Sequence, residues 1–338
     1  MSSTPEPTDG GTPGRRGRIL TAVKWSAAAL AVALLVVGVV QQWDAIVRDV
    51  AALSAGTVAT GLVATFVALV ANMASWRAMT AATGTRLPVS AAASVFFVGQ
   101  LGKYLPGGVW SIAAQAELGR AHGLPRATSA VAALASMLVS MVTAALVGIV
   151  GLLVGAPDGL ATFWWLALVA AVGLVTVAPP VLARLIVLAM RLLRRPPQVV
   201  ALTWSGTLAS VGWSAAMWLA YGVQATTVLR AFGAHGPSVP PLATGAYAVA
   251  WLVGFLVVVA PAGLGAREGV LVLLLGPVAG VPGALALAVV SRAMMTLGDV
   301  VLAAVGAALA VRHRRRGGRR GGPRGGRGGA AGSPERPW

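Results

Sequence analysis

Five charged residues stand in stretches that are otherwise apolar: Lys103, Arg267, Glu268, Arg292 and Asp299. A charge near mid-bilayer costs roughly 2.5–3.5 kcal/mol even on lenient insertion scales, so such residues are rarely incidental. Arg267 and Glu268 follow a small-residue turn, Pro261-Ala262-Gly263-Leu264-Gly265. A helix that starts after such a turn points backbone N–H groups, and the positive end of its dipole, at whatever lies before it. With a guanidinium beside it, that place suits a phosphate or a carboxylate. Glu268 suits a cationic headgroup or a proton. The structural alternative pairs each residue with a charge on a neighbouring helix. Arg292 and Asp299 are seven residues apart, two helical turns, and therefore share a face that must look inward. Arg292 reads either as a second headgroup contact or as one half of an Arg–Asp pair that orients two helices. Lys103 precedes Pro106-Gly107-Gly108 and either lines that turn or snorkels to the interface. Glu117 and Arg120 read as an exposed pair.

Enzyme constellations are missing from this set. His122, His235 and His313 show no ligand spacing, and no nucleophile elbow, phosphate-binding loop or paired zinc-binding histidines occur. Gly263-x-Gly265 is not a dinucleotide fingerprint, because an apolar run and not a strand leads into it. The expectation is a protein that is not an enzyme, with no metal and no cofactor. The chain has no cysteine, so thiol and disulfide chemistry are excluded.

The segments that must position these charges are those of a membrane protein. Of 338 residues 57% are hydrophobic and only 10% charged, and several runs reach the ~20 residues that cross hydrocarbon. Two of these runs are broken alike. Gly99 and Gly254 each precede a proline by seven residues, Pro106 and Pro261, and a second proline follows at Pro125 and Pro282. The offsets are 155 and 157 residues, an internal repeat. Matching Pro/Gly interruptions in two halves point to a site built from broken helices.

The spans expected are Ile19–Val40, Ser54–Met79, Thr128–Val154, Leu160–Ala178, Val199–Leu229 and Gly283–Val311. Trp43 and Trp76 are interface anchors, and Gly206 and Gly212 are close-packing points. Between the spans, 89–121 and 242–277 dip in and return on the same side. The fold class is thus an all-α polytopic membrane protein with six full spans and two Pro/Gly-broken re-entrant hairpins in an inverted repeat. The halves are 19–154 and 155–311, flanked by a disordered leader, 1–18, and a disordered Arg/Gly-rich tail, 312–338. Eight full spans are the alternative, but they put the Arg184–Arg195 cluster outside, against the positive-inside bias. In the six-span arrangement both termini, Arg77, Arg86, Arg126 and Arg184–Arg195 are cytoplasmic. Nine arginines from Arg312 onward account for much of the +17 net charge and suit an anionic leaflet surface. Such a tail also suits RNA, but beside a membrane exit the lipid surface is its expected partner, and no specific nucleic acid is expected.

At these residues the chain resembles the lysylphosphatidylglycerol synthase transmembrane-region family, a flippase-like domain, over most of 19–311. Pro261 to Glu268 is similar to the family's P-x-G-x-G-x-R-E, and Arg292 to a later arginine. Pro106-Gly107 matches its first turn, and Gly123-Leu124-Pro125 the G-[IL]-P after it. Two departures stand in the first half: Trp110-Ser111 where many members have Gly-Glu, and Ser136-Met137 where many have Glu-Arg. No aminoacyl-transferring domain is found after Val311, so the resemblance implies a stand-alone membrane member.

The function expected is movement of an amphiphile with an anionic or zwitterionic headgroup between the leaflets of the cell membrane. The substrate-binding set is Lys103, Pro106, Gly107, Gly108, Pro261, Gly263, Gly265, Arg267, Glu268, Arg292 and Asp299. The alternative is a non-transporting accessory protein that binds a lipid-linked intermediate of envelope biosynthesis. The topology is directly testable with cysteines introduced singly. An impermeant thiol reagent on intact cells should label Asp158→Cys and spare Gln198→Cys; the reverse pattern reinstates eight spans.

Overall fold

The computed structural model describes residues 40, 43–51, 53–104, 110–155, 164–192, 201–256 and 265–320. The leader, nearly all of the first expected span, the two turns at 105–109 and 257–264, and the tail beyond Arg320 lie outside them, and so do Asp158 and Gln198. The described residues are helical, with no strand among them. In chain order the helices are α1 (Trp43–Ala51), α2 (Ala55–Ala82), α3 (Val89–Gln100), α4 (Trp110–Arg120), α5 (Arg126–Gly155), α6 (Trp165–Thr176), α7 (Pro179–Leu192), α8 (Trp204–Ala231), α9 (Val239–Leu256) and α10 (Ala266–Arg320). A 3₁₀ turn, Leu101–Tyr104, continues α3.

Local chemistry sets several boundaries. Ser54 caps α2 by accepting the Thr57 N–H at 3.1 Å. Proline opens α7, where its missing N–H is no loss. Inside α10, Gly280 has φ 69 and ψ 162, which breaks the helix between Pro277 and Pro282 into arms 266–279 and 281–320. A left-handed φ of this kind suits glycine. The break falls where the second proline of the repeat predicts it. The helix then runs to Arg320, past the expected end of the span at Val311.

Ala55–Ala82, Arg126–Gly155, Val239–Leu256 and Ala266–Arg312 are long and apolar enough to cross a membrane. A fifth candidate is the α6–α7 pair, bent by 80°. The protein is therefore an all-α, multi-pass membrane protein. α8 is as long as α2, 28 residues or about 42 Å, but its Trp, Ser, Thr and Gln residues dilute its apolarity.

Contacts fix the direction of the helices. α2 and α8 form the most extensive pair and run antiparallel: Gly61 lies by Gln224, Ser75 bonds Ser210, and Ala82 lies by Gly206. These two helices hold equivalent places in the two repeats, so their opposition means that the second half is upside down relative to the first. The remaining packing is reciprocal: α3 of the first half lies on the last span of the second, and α9 of the second lies on α5 of the first. The first dip is a helical hairpin. Gly102 backs onto Ser111, Gly99 onto Gln115, and Ser94 Oγ is 3.1 Å from His122 Nε2. With 12 residues, α3 is only about 18 Å long, and the chain returns beside it.

Two expectations are corrected. Trp76 is not an interface anchor; it is 1% exposed and packs on Phe96 at 5.7 Å between ring centroids, because α3 folds back over the end of α2. Gly206 does sit at a close approach, where a Cβ would meet Ala82 backbone, but Gly212 faces open space. The tightest small-residue seam was not foreseen. Gly148, Gly151 and Gly155 of α5 meet Gly245, Pro241 and Leu242 of α9, and a Cβ on Gly151 would lie 2.5 Å from the Pro241 carbonyl oxygen. Gly151→Ala should therefore lower stability in detergent by ~1–3 kcal/mol, whereas Gly212→Ala should leave the melting temperature unchanged or slightly raised.

Candidate functional site

The last span, 281–320, carries the two inward charges, and each takes a partner from a different hairpin. Asp299 is 5% exposed and pairs with Lys103 Nζ at 2.5 Å; the Tyr104 hydroxyl donates to the same Oδ2 at 2.6 Å. Both partners come from the 3₁₀ turn that ends the ingoing arm of the first hairpin. Two turns earlier on the same face, Arg292 Nη2 pairs with Glu268 Oε1 at 2.7 Å, a residue at the start of the returning arm of the second hairpin. One face of one helix thus ties down both broken segments. Arg292 and Asp299 do not pair with each other, because each reaches its own hairpin first.

Glu268 does a second thing. Its Oε2 accepts the Gly265 N–H at 2.8 Å, and Gly265 sits at φ 89 immediately before the helix. This is the reciprocal half of a capping box, in which the third helical residue reaches back to the cap amide. Both carboxylate oxygens are therefore committed inside the protein, one to Arg292 and one to Gly265. This arrangement matches the structural alternative for Glu268, a charge paired with one on a neighbouring helix.

Arg267, next to it, is different. The side chain is 4% exposed, its guanidinium carbon lies 4.7 Å from the centre of the Tyr247 ring, and Nη2 reaches Ser291 Oγ at 3.5 Å. No ion pair among the described residues includes it. A guanidinium has five N–H donors, and here one long hydrogen bond and a ring face answer them. Tyr247 stacks on Tyr221 at 5.1 Å, and Tyr221 packs in turn on Trp218. The Tyr247 hydroxyl, buried as deeply, has no hydrogen-bond partner among the described residues. One turn beyond Tyr221, Gln224 is fully buried, with its amide nitrogen 3.5 Å from Met294 Sδ and its amide oxygen unbonded.

Of the expected residues, Lys103, Gly265, Arg267, Glu268, Arg292 and Asp299 fall in this cluster. Pro106, Gly107, Gly108, Pro261 and Gly263 lie outside the described residues. Glu117 and Arg120 are an exposed pair at 3.1 Å, joined by Arg126, away from the cluster. The sequence reading missed the tyrosines. The chain has three: Tyr104 bonds Asp299, Tyr247 faces Arg267, and Tyr221 stacks on Tyr247. Their scarcity in apolar segments was the available signal.

A family model described as Lysylphosphatidylglycerol synthase TM region matches residues 26–303, which take in both hairpins and all five of these charges. Comparison with curated proteins finds no match.

The Glu268–Arg292 pair has a measurable signature. Arg292→Gln strands a buried carboxylate and should cost ~3–5 kcal/mol of stability in detergent. Adding Glu268→Gln should recover most of that loss, since it removes the stranded charge and keeps an oxygen for the Gly265 amide. A double variant no more stable than the single one would mean that the two side chains act independently.

Proposed function

The chain belongs to the lysylphosphatidylglycerol synthase TM region family, whose transporter-like domain has a flippase-like role with membrane lipids, and we propose that it moves an amphiphile between leaflets by holding its anionic or zwitterionic headgroup at Arg267. The observation that carries this reading is the charge balance. Burying a guanidinium costs several kcal/mol unless an anion or a set of hydrogen bonds compensates it. The neighbouring acids are already spent, Glu268 on Arg292 and Asp299 on Lys103. A phosphate or carboxylate supplies what Arg267 lacks, and an amphiphile brings it at the depth where Arg267 lies. The Tyr247 hydroxyl offers a further donor beside the same cation.

The architecture supports movement between leaflets. Inverted halves allow one packing to open toward one side and its mirror arrangement toward the other. The two ion pairs join one face of the last span to both hairpins, so a shift of that span is transmitted to both turns. Among the described residues, the first hairpin brings Lys103 and Tyr104 to this cluster, and both are engaged with Asp299. Headgroup recognition is accordingly concentrated in the second hairpin. The cell membrane as location and cytoplasmic termini belong to the same reading.

The test is a headgroup-resolved flip measurement on protein reconstituted in liposomes. Wild type should accelerate movement of an anionic lipid, and Arg267→Gln should slow it by roughly ten- to hundredfold, the equivalent of a charge-assisted hydrogen bond worth about 1.5–3 kcal/mol. Its melting temperature should stay near that of wild type, unlike that of Arg292→Gln. Lipid movement that ignores Arg267→Gln sinks the assignment. Tight lipid binding without movement by wild type makes the protein a binding accessory.

A further inference from the structure

Helix α7 stands apart from the bundle just described. It leaves α6 at 80° through Val177 and Ala178 and carries no acidic residue. Its two long sides differ. Leu182, Ile186 and Met190, four residues apart, are buried in one apolar cluster with Met79 and Ala82 of α2 and Val131, Ala132 and Ala135 of α5. Those partners sit at the last turn of α2 and the first turns of α5, so α7 packs at the end of the bundle and not at its middle. The opposite side shows Arg184, Leu188, Arg191 and Leu192, spaced four, three and one residues apart, all exposed. Leu188 is 52% and Leu192 76% exposed. Neither arginine takes part in an ion pair or hydrogen bond among the described residues.

Three facts choose the occupant of this face. The preceding helix, α6, exposes the uncharged side chains Leu168, Val172, Leu174 and Val175, and its Gly173 lies against Val142 and Leu146 midway along α5, a helix long enough to cross a membrane. A helix bent 80° from it lies close to the membrane plane, at the level where α2 ends. A stripe that alternates arginine with leucine matches the boundary between phosphates and acyl chains, where apolar side chains enter the acyl region and arginines reach up to phosphate. We propose that α7 is an in-plane surface helix that docks on anionic phospholipid headgroups through Arg184 and Arg191, with Leu188 and Leu192 in the acyl boundary. The site is separate from Arg267 and independent of what the protein transports. It makes local lipid charge a determinant of how the end of the bundle is seated, with both cations worth most at low salt.

The absence of cysteine from the sequence allows a clean measurement on the full chain. Leu188→Cys carrying an environment-sensitive fluorophore is reconstituted in vesicles of phosphatidylcholine with or without phosphatidylglycerol. Quenchers sit either just below the headgroup or at the chain end. The shallow quencher should dominate. Brominated phosphatidylglycerol should quench more than brominated phosphatidylcholine at equal content. Arg184→Gln and Arg191→Gln should each cut that preference roughly fivefold at low salt, and high salt should abolish it in the unsubstituted helix. Dominant deep quenching would make α7 part of a full crossing and overturn the proposal. So would a probe that no lipid quencher reaches, as under a second protein, or a preference indifferent to both arginines. Wild-type melting temperature in the Arg184→Gln/Arg191→Gln variant separates a lost surface contact from misfolding.

Discussion

A charge placed in hydrocarbon must find an opposite charge, and in this protein that requirement decides how the broken segments are held. The last span carries Arg292 and Asp299 on one inward face, and two hairpins reach that face with Glu268 and with Lys103 and Tyr104. Each contact is charge-assisted and largely screened from solvent, which makes it strong once formed and costly to leave half-made. A hairpin broken at its turn leaves the ends of its arms free to shift unless something holds them. The ion pairs hold Lys103, Tyr104 and Glu268 to one face of the last span.

Around that face the bundle is assembled by close backbone approach. Hydrocarbon tails are as apolar as leucine, so helices in a membrane gain little by hiding apolar side chains from them. What draws α5 onto α9 is a glycine seam in which Gly151 lies directly on the backbone of Pro241 and Gly245, with Gly148 against Val249 and Gly155 against Leu242 on either side. α2 and α8 meet through Ser75 and Ser210 and through Gly206 against Ala82. Each device lets backbones approach until dispersion and small polar contacts suffice. The antiparallel α2–α8 pair also expresses the inversion of the two halves.

The symmetry of the backbone is not shared by the charges. The returning arm of the second hairpin carries Arg267 and Glu268, while its counterpart opens with Trp110 and Ser111. Adjacent in sequence, Arg267 and Glu268 divide the work between them. Glu268 points to the cap amide and Arg292 and holds structure, whereas Arg267 points to Tyr247 and Ser291 and remains without an ion pair among the described residues.

Composition and spacing alone determined that this is a helical membrane protein, where the repeat breaks, and which charges lie inside it. Those properties follow from the length of apolar runs and from the backbone limits of proline and glycine, both local. Gly280 between Pro277 and Pro282 broke the helix where the repeat required. Partner choice was not local. Residues 292 and 299 share a face by helical period, but which charge each meets depends on where the two hairpins end, and that is a property of the packed bundle. The burial of Trp76, the emptiness around Gly212, the seam at Gly151 and the convergence of the three tyrosines were likewise decided only in three dimensions. Helical spacing specifies which side chains project together, and it is silent about what another helix brings to meet them.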